Sequence, residues 1–335
     1  MELRIESTRG GMVESVHRVS AAVADQRGRL LAGSGDPDLV TFWRSAAKPF
    51  QAIPLVADGA ADRWGLTDRE LALACASHSS EPVHLEVVEA MLRKVGCSES
   101  ALACGPHPPL STAVAEQITR TGLALSPKWS NCSGKHDGML GLARHHGWPI
   151  AGYEKAGHPV QERVVEEITR WSGVRREDLR LGVDGCTTVC FGLPLRAMAL
   201  AYARFGAFVE PAAVRLRSAM SAHPVLVAGT GRLCTDLMAA YPGDIIAKVG
   251  AGGVYGAALP APGYGIALKV EDGDMQCSPV ALLAILRQVA ERFRLPLDLA
   301  QAPASVRRHA ESPTENTRGT VTGSLRAAGK LRFSD

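Results

Sequence analysis

Residues 43–55 read Trp43-Arg44-Ser45-Ala46-Ala47-Lys48-Pro49-Phe50-Gln51-Ala52-Ile53-Pro54-Leu55, where the polar end of a strand runs into an apolar helix. Ser45 stands three residues before Lys48, and positions i and i+3 share a helix face, so the hydroxyl and the amine can meet. We place Ser45 near the N-cap; Pro49 fits the first turn because N–H groups there lack intrahelical partners. A neutral lysine at this spacing would take the serine proton and create a nucleophile. Since about one Ser-x-x-Lys is expected by chance in such a chain, the motif gains meaning only from its surroundings.

The composition is that of a soluble globular protein. The chain has 335 residues, enough for one large domain or two ordinary ones, with 46% hydrophobic and 21% charged residues. A formal net charge of +3 without a Lys/Arg run predicts no nucleic-acid partner. No uncharged apolar stretch approaches roughly 18 residues and the N-terminus has no signal core, so we expect a cytoplasmic protein without a membrane partner. Its eight cysteines are then expected to be thiols.

Strand patterns cluster at the two ends of the chain. Residues 2–8 and 11–24 predict a β-hairpin followed by a strand at 29–33, and further strands are expected at 244–248, 254–259 and 265–270. Helical patterns fill the middle and recur once near the end: one starts in the 43–55 stretch, and the others lie at 67–76, 81–95, 112–121, 133–146, 158–172, 194–205, 210–222, 232–240 and 279–294. This order predicts an α+β fold in which an antiparallel sheet joins both termini and packs on a helical region. The sheet part is expected at about 1–45 and 244–330, the helical part at about 46–243, and a loosely ordered polar tail after about 305.

Three further stretches concentrate reactive side chains. Residues 128–139, KWSNCSGKHDGM, carry a thiol, hydroxyls, an amine, an imidazole and a carboxylate at a helix start. A polar N-cap with solvated charges is the alternative explanation. Residues 182–190, GVDGCTTVC, follow a short strand; Cys186-x-x-x-Cys190 is not a zinc-finger spacing, while a metal site that pairs Cys132 with Cys186 across space stays open.

The glycine-rich stretch KVGAGGVYG at residues 248–256 is not a dinucleotide-binding loop. Such a loop requires glycine at 255 and a following helix, whereas Tyr255 stands there and a strand follows. A lysine at a strand end followed by glycines lets the backbone approach a bound substrate closely. A tight hairpin explains the same glycines equally well.

Several of these pieces, in this order, resemble the thermolabile, rhizobial-type L-asparaginase II family. The resemblance spans roughly residues 5–330. The matching runs are Val13–Arg18, Arg44–Pro49, Ala76–His78, Asn131-Cys132-Ser133-Gly134-Lys135-His136, Asp184–Cys186 and Arg232–Met238. The Asn-Cys-Ser-Gly-Lys-His run is the most specific of them.

The resemblance implies hydrolysis of the L-asparagine side-chain amide to L-aspartate and ammonia by a homodimer. It implies one catalytic unit over residues 1–335, with a fold similar to serine β-lactamases, penicillin-binding proteins and glutaminases. Two Ser–Lys tandems carry over, the first to Ser45 and Lys48 and the second to Ser77 and Lys248. A zinc ion, not essential in every member, would be held by Cys132, Lys135 and Cys186.

Two positions beside these residues depart from the family pattern. Ser80 stands where we expect glycine, and Gly252 stands where we expect an acidic residue. These departures bear on substrate preference and on the assignment of Lys248.

The expected mechanism begins with attack by Ser45 while neutral Lys48 accepts its proton. Ser77 with Lys248 would relay protons or activate water, and the roles of the two serines could be reversed. The substrate's α-carboxylate and α-ammonium need opposite charges, for which Arg44 and Asp184 are candidates. The alternatives are a β-lactam-interacting serine acyl hydrolase and a non-catalytic amino-acid or metal-binding protein.

Overall fold

The computed structural model describes residues 1–334 and confirms the α+β prediction. The chain forms two compact units. The first contains Met1–Ala46, Leu193–Ala207 and the chain from Ala247 onward, and the second contains Ala47–Gly192 and Phe208–Ile246. No helix within residues 1–334 is long and apolar enough to cross a membrane.

The strands are β1 (Arg4–Arg9), β2 (Met12–Asp25), β3 (Leu30–Ser34), β4 (Val40–Phe42), β5 (Arg180–Val183), β6 (Val189–Pro194), β7 (Ile246–Gly250), β8 (Val254–Leu259), β9 (Tyr264–Val270), β10 (Glu311–Glu315), β11 (Val321–Ala328) and β12 (Arg332–Phe333). The helices are α1 (Lys48–Ala57), α2 (Ala60–Arg63), α3 (Asp68–Ala74), α4 (Pro82–Val95), α5 (Thr112–Thr121), α6 (Ser133–His146), α7 (Pro159–Ser172), α8 (Leu195–Ala207), α9 (Pro211–Ala222), α10 (Pro224–Val227), α11 (Leu233–Ala240), α12 (Cys277–Phe293) and α13 (Ala304–Arg307).

The sheet of the first unit joins both ends of the chain, as predicted. Its strand order is β10-β11-β1-β2-β9-β8-β7, with β3 beside β2 and β12 beside β3. The long strand β2 organises it, because its first half pairs with β1 and its second half pairs antiparallel with β9, with Val19 opposite Val270. The second half is apolar and buried while the first half is exposed, so the core lies at the β9 end of β2.

Helix α8 packs on β2, β8 and β9 in this first unit. Two glycines make the approach close: a Cβ at Gly265 would lie 2.0 Å from Ala199 O, and one at Gly256 would lie 2.0 Å from the Tyr202 ring. The sequence order alone puts α8 in the helical middle of the chain. The small residues on β8 and β9 are what allow it to lie against the sheet.

The expectation of a loosely ordered tail after residue 305 is wrong. Strand β11 pairs antiparallel with β1, with Arg4 opposite Ala328, and β10 pairs with β11. β10 alternates exposed and half-buried residues, and β11 is mostly half-buried. β10 has no apolar residue except Pro313, so it lacks the apolar alternation by which strands are found in a sequence. β11 alternates only weakly, at Val321, Leu325 and Ala327.

The second unit is helical, with α1 packed against α6, α7 and α9. The predicted ranges of α5 and α6 match the structure, since glycines in the left-handed conformation end both helices, Gly122 and Gly147. The predicted capping box closes the start of α3 through Thr67 and Glu70. Helix α1 begins at Lys48, after a 3₁₀ turn over Arg44–Ala47, so Ser45 precedes the helix instead of capping it.

Candidate active site

Lys48, the first residue of α1, lies at the centre of a polar cluster in the second unit. Its side chain is 1% exposed. Its Nζ lies 2.9 Å from Ser77 Oγ, 2.5 Å from Ala76 O and 3.1 Å from Cys132 Sγ. An ammonium has three hydrogens, and these three partners use them all. The structure thus joins Lys48 to Ser77, 29 positions away in the chain.

Ser77 lies in the segment after α3, and hydrogen bonds to its backbone hold it in place. Ser77 N–H donates to Val227 O at 3.0 Å, and the Arg232 guanidinium donates to Ser77 O. Ser80, three residues on, has a positive φ of 58°, which explains why glycine is expected there, since this region favours glycine. Its Oγ donates to Trp129 O at 2.8 Å, a bond that glycine could not make.

Two stacked histidines, His78 and His84, lie behind Ser77, with ring centroids 5.1 Å apart. His78 Nδ1 accepts from the Ser80 N–H, so its Nε2–H donates to Ser133 Oγ at 2.9 Å. Burial, and then the positive charges nearby, hold the pKa of His78 well below 6.5, and burial also lowers the pKa of His84. Both rings are therefore neutral near pH 7 and serve to fix the Ser77 segment.

A sulfur-rich cluster adjoins Lys48 through Cys132. Cys132 is the N-cap residue of α6, and Lys135, one turn on, is buried. Lys135 Nζ donates to Cys186 Sγ at 2.9 Å and to Thr188 Oγ1 at 2.5 Å. Both acceptors lie in the β5–β6 connection, where Thr187 has a positive φ of 76°. A β-branched residue rarely adopts this conformation, which costs about 1–3 kcal/mol and persists where the surroundings impose it.

The two cysteines share one negative charge. The Cys132 thiol, hydrogen-bonded to the Cys186 sulfur and buried, has a raised pKa, while that same hydrogen bond lowers the pKa of Cys186. Burial alone would lower the pKa of Lys135, but the neighbouring Cys186 and Cys132 sulfurs outweigh it and raise that pKa. These shifts favour the neutral form of Cys132 and the charged forms of Cys186 and Lys135.

His136, next to Lys135 on α6, is fully buried. Burial lowers the pKa of His136 to about 4, although the nearby Cys186 sulfur opposes the shift. Its Nδ1 lies 2.6 Å from the Tyr153 hydroxyl, and its ring also interacts with the Cys186 sulfur. A neutral imidazole thus borders the sulfur cluster.

The remaining predicted residues divide between the units. In the second, Asp184 is half-exposed, its Oδ1 accepts from the Gly185 N–H at 2.8 Å, and its Oδ2 lies 4.0 Å from Cys186 Sγ. In the first, Lys248 is buried in β7 and donates to Val249 O at 2.9 Å. Ser45 and Arg44 also belong to the first unit.

The turn that carries Ser45 is held firmly within the first unit. Ala46 O accepts a 2.7 Å hydrogen bond from the Tyr202 hydroxyl. A Cβ at Gly250 would lie 2.9 Å from Trp43 O, so glycine at the end of β7 permits this close backbone approach. Arg44 has a positive φ of 53° and Ser45 is half-exposed.

Two residues of the cluster have no role in the sequence-based interpretation. Thr188 follows Cys186 by two positions and so points to the same side of the connection, a signal that strand periodicity offers. Arg232 opens the Arg232–Met238 run that carries the family resemblance. Its contact with Ser77 O depends on the fold, and no local sequence pattern predicts it.

Comparison with known proteins gives one family. The model of the family described as L-asparaginase II matches residues 5–327. No curated protein matches the sequence.

The solved structures that are similar to the chain are remote. Mglu in its native form in 4.3 M NaCl is 18% identical over 84% of this chain and 63% of that one, with a TM-score of 0.44. Mglu in its L-glutamate binding form is 17% identical over 87% of this chain and 63% of that one, with a TM-score of 0.39. The chain thus spans slightly less than two thirds of the length of Mglu. A β-lactamase from Sulfitobacter sp. EE-36 is 14% identical over 80% of this chain and 86% of that one, with a TM-score of 0.32.

Proposed function

The chain belongs to the L-asparaginase II family, and from this premise we propose that it is an amidohydrolase, which hydrolyses the side-chain amide of L-asparagine to L-aspartate and ammonia. The 2.9 Å contact between Lys48 Nζ and Ser77 Oγ carries the proposal. Both groups are buried, and a lysine beside a hydroxyl in a desolvated site can exchange a proton with it, as the amine of a serine amidohydrolase must.

Lys48 has the surroundings that a neutral amine requires. A neutral amine donates two hydrogens and accepts one through its lone pair. Ala76 O can only accept and Cys132 Sγ can also accept, whereas the Ser77 hydroxyl can donate. The pair can therefore hold a proton on either Ser77 Oγ or Lys48 Nζ, as an acid–base couple must.

The proposed attack is made by Ser45, which is half-exposed and so can meet a dissolved substrate, whereas Ser77 is 3% exposed. Ser45 Oγ forms a bond to the amide carbon, and its proton passes to Lys48. As the C–N bond breaks, Lys48 returns a proton to the leaving nitrogen and ammonia departs. Water then cleaves the acyl ester and releases L-aspartate, with Ser77 and Lys248 relaying protons. Direct attack by Ser77 is the second candidate, because Ser77 makes the observed hydrogen bond to the base.

The substrate's two ends require opposite charges. We assign the α-ammonium to Asp184, whose carboxylate is half-exposed beside the sulfur cluster, and the α-carboxylate to Arg44. Arg232 donates to Ser77 O and to Ala228 O. Because of these two bonds, we assign Arg232 the role of positioning the Ser77 segment.

The sulfur cluster fits a zinc ion. Cys132, Lys135 and Cys186 offer two sulfurs and an amine that are linked by hydrogen bonds, and zinc prefers nitrogen and sulfur donors. Zinc bound there would supply a Lewis acid that polarises a water or carbonyl. Binding must displace the protons of Lys135 and Cys132, so zinc affinity is expected to rise with pH.

Ammonia release tests the proposed function. We expect ammonia from L-asparagine, less from L-glutamine, and loss of release in Ser45→Ala. If Ser77→Ala abolishes formation of the acyl-enzyme while Ser45→Ala does not, Ser77 is the nucleophile. Covalent labelling by a fluorescent penicillin without ammonia release would favour the β-lactam-interacting hydrolase. Bound L-asparagine that is never turned over would favour a binding protein.

A further inference from the structure

His17, Asp274 and Cys277 form a cluster of three different metal-binding groups in the first unit. One ligand atom of each, a ring nitrogen, a carboxylate oxygen and a sulfur, lies within 4.8 Å of the other two. Among residues 1–334 no other group of three such side chains meets this distance. The cluster is remote in sequence from every residue that the proposed reaction uses in the second unit.

The fold explains how the three side chains meet. His17 lies on β2 just before the pairing with β9 begins at Val19 and Val270. The Glu271 N–H extends that pairing by donating to Arg18 O at 3.0 Å. The turn after β9 therefore runs beside His17 and ends at Cys277, the first residue of α12.

The side chains are already oriented. His17 Nδ1 is 2.7 Å from Asp272 Oδ2, the carboxylate–histidine contact that fixes the imidazole in many metal sites. Asp274 Oδ1 accepts from the N–H groups of Gln276 and Cys277 at 2.7 and 3.0 Å. An aspartate at this position is explained by the turn alone. An imidazole and a buried thiol beside it are not required by any turn.

We propose that His17, Asp274 and Cys277 bind a divalent transition-metal ion of the zinc type. The donor set of nitrogen, sulfur and oxygen suits zinc, which takes three protein ligands and leaves a fourth position for water in its open sites. A tetrahedral centre with bonds of about 2.0–2.3 Å holds its ligand atoms roughly 3.3–3.8 Å apart, so the cluster needs to close by about 1 Å.

Access and charge agree with this site. His17 and Asp274 are half-exposed while Cys277 is buried, so an ion from solvent would meet the imidazole and the carboxylate first and the sulfur as the cluster closes on it. Asp272 and Asp274 supply two carboxylates. The ammonium of nearby Lys269 donates to Gly252 O, and this hydrogen bond directs the ammonium toward the backbone. Binding replaces the Cys277 thiol proton, which leaves to solvent.

Cobalt titration of the Cys132→Ser/Cys186→Ser protein tests the proposal, because the two sulfurs of the cluster beside Lys48 are then absent. We expect one Co²⁺ per chain with a sulfur-to-cobalt charge-transfer band that Zn²⁺ removes. Cys277→Ser should abolish the band, and His17→Gln should weaken binding by about tenfold or more. Asp272→Asn, which removes only the carboxylate behind the imidazole, should weaken it by about 10–100-fold. The matched control is Cys97→Ser, a half-buried thiol of the second unit, which should leave the titration unchanged.

Absence of the band in the double variant, or an equal band in Cys277→Ser, overturns the proposal. If the double variant does not fold, zinc content decides: Cys277→Ser should carry one zinc fewer per chain than the unaltered protein after equilibration with zinc. Equal zinc contents contradict the site. None of these outcomes depends on ammonia release, so failure here and failure of the proposed function are distinguishable.

Discussion

Lys48 connects two sets of reactive groups within the second unit. It contacts Ser77 on one side and Cys132 on the other, and the Cys132 thiol leads on to Cys186 and Lys135. A change in the protonation of the sulfurs, or a metal ion bound to them, is therefore expected to alter the electrostatic surroundings of the amine that the proposed reaction uses. This direct contact is the physical reason to expect the sulfur cluster to influence turnover.

Ser80 is the residue whose backbone conformation can be tested most simply. Its positive φ costs a side-chain-bearing residue about 1–2 kcal/mol relative to glycine, while its Oγ bonds Trp129 O. Ser80→Ala and Ser80→Gly both lose that bond, but only glycine relieves the backbone. We expect Ser80→Ala to be less stable than Ser80→Gly by about 1 kcal/mol in urea unfolding. Equal stabilities would show that the left-handed conformation costs nothing here.

At the residue scale the sequence identifies candidate site residues better than it identifies the contacts between them. The Ser-x-x-Lys spacing draws attention to Lys48, but the hydroxyl bonded to it belongs to Ser77, 29 positions away. Such a contact depends on how α1 and the end of α3 pack, which no local pattern encodes. The roles carried over to Ser45, Lys248, Arg44 and Asp184 stay predictions.

Helix α4 begins with a histidine in place of the usual glutamate of a capping box. The Glu81 N–H donates to His84 Nδ1 at 3.1 Å, and His84 Nε2–H donates to Val225 O at 2.8 Å. Burial lowers the pKa of His84 and of its neighbour His78. Below about pH 6.5 these two histidines bind protons in the unfolded chain but stay neutral in the folded protein. The free energy of unfolding therefore falls as the pH falls.

We expect this pH dependence in urea unfolding at pH 7.5 and 5.5. His84→Gln keeps an acceptor and a donor but cannot titrate, so the variant should lose less stability between the two pH values than the unaltered protein does. His158→Gln, at the start of α7, is the control because its half-exposed ring also caps a helix, with Nδ1 accepting from the Val160 N–H at 3.2 Å. An identical loss in His84→Gln would contradict the assignment to His84.

Helix α8 holds the turn Arg44–Ala47 through one hydroxyl, that of Tyr202, bonded to the buried Ala46 O. Tyr202→Phe leaves that carbonyl unsatisfied, so we expect a loss of about 1–3 kcal/mol in stability, with a lower kcat if Ser45 attacks. Tyr264→Phe removes a hydroxyl for which residues 1–334 offer no hydrogen bond, and should be close to neutral. Equal effects of the two variants would show that the turn does not depend on Tyr202.

At the scale of elements, helices were predictable because local signals end them. The ranges of α5 and α6 follow from Gly122 and Gly147, and the start of α3 follows from Thr67 and Glu70. Strands β10 and β11 were missed because β10 is polar and the alternation of β11 is weak. β11 is held by pairing with β1, at the other end of the chain, and β10 by pairing with β11.

The whole molecule combines a sheet that joins both ends of the chain with a helical unit that carries the Lys48 cluster. The strand–helix–strand order in the sequence predicts this architecture. It does not predict that α8 lies on the sheet, because that depends on the glycines of β8 and β9 that accept it. Family membership supports an amide-hydrolysing reaction, and both the reaction and its substrate rest on the proposal made from Lys48.

Ammonia release from L-asparagine by Lys48 variants tests that proposal most directly. Lys48→Arg keeps the charge but cannot become the neutral base, so it and Lys48→Met should lower kcat by about 100-fold or more. Lys94→Met is the matched control, since Lys94 pairs with Glu70 on the surface of α4, and it should keep the unaltered rate once folding is verified. Ammonia release at the unaltered rate by Lys48→Arg, or none by the unaltered protein, would contradict the account.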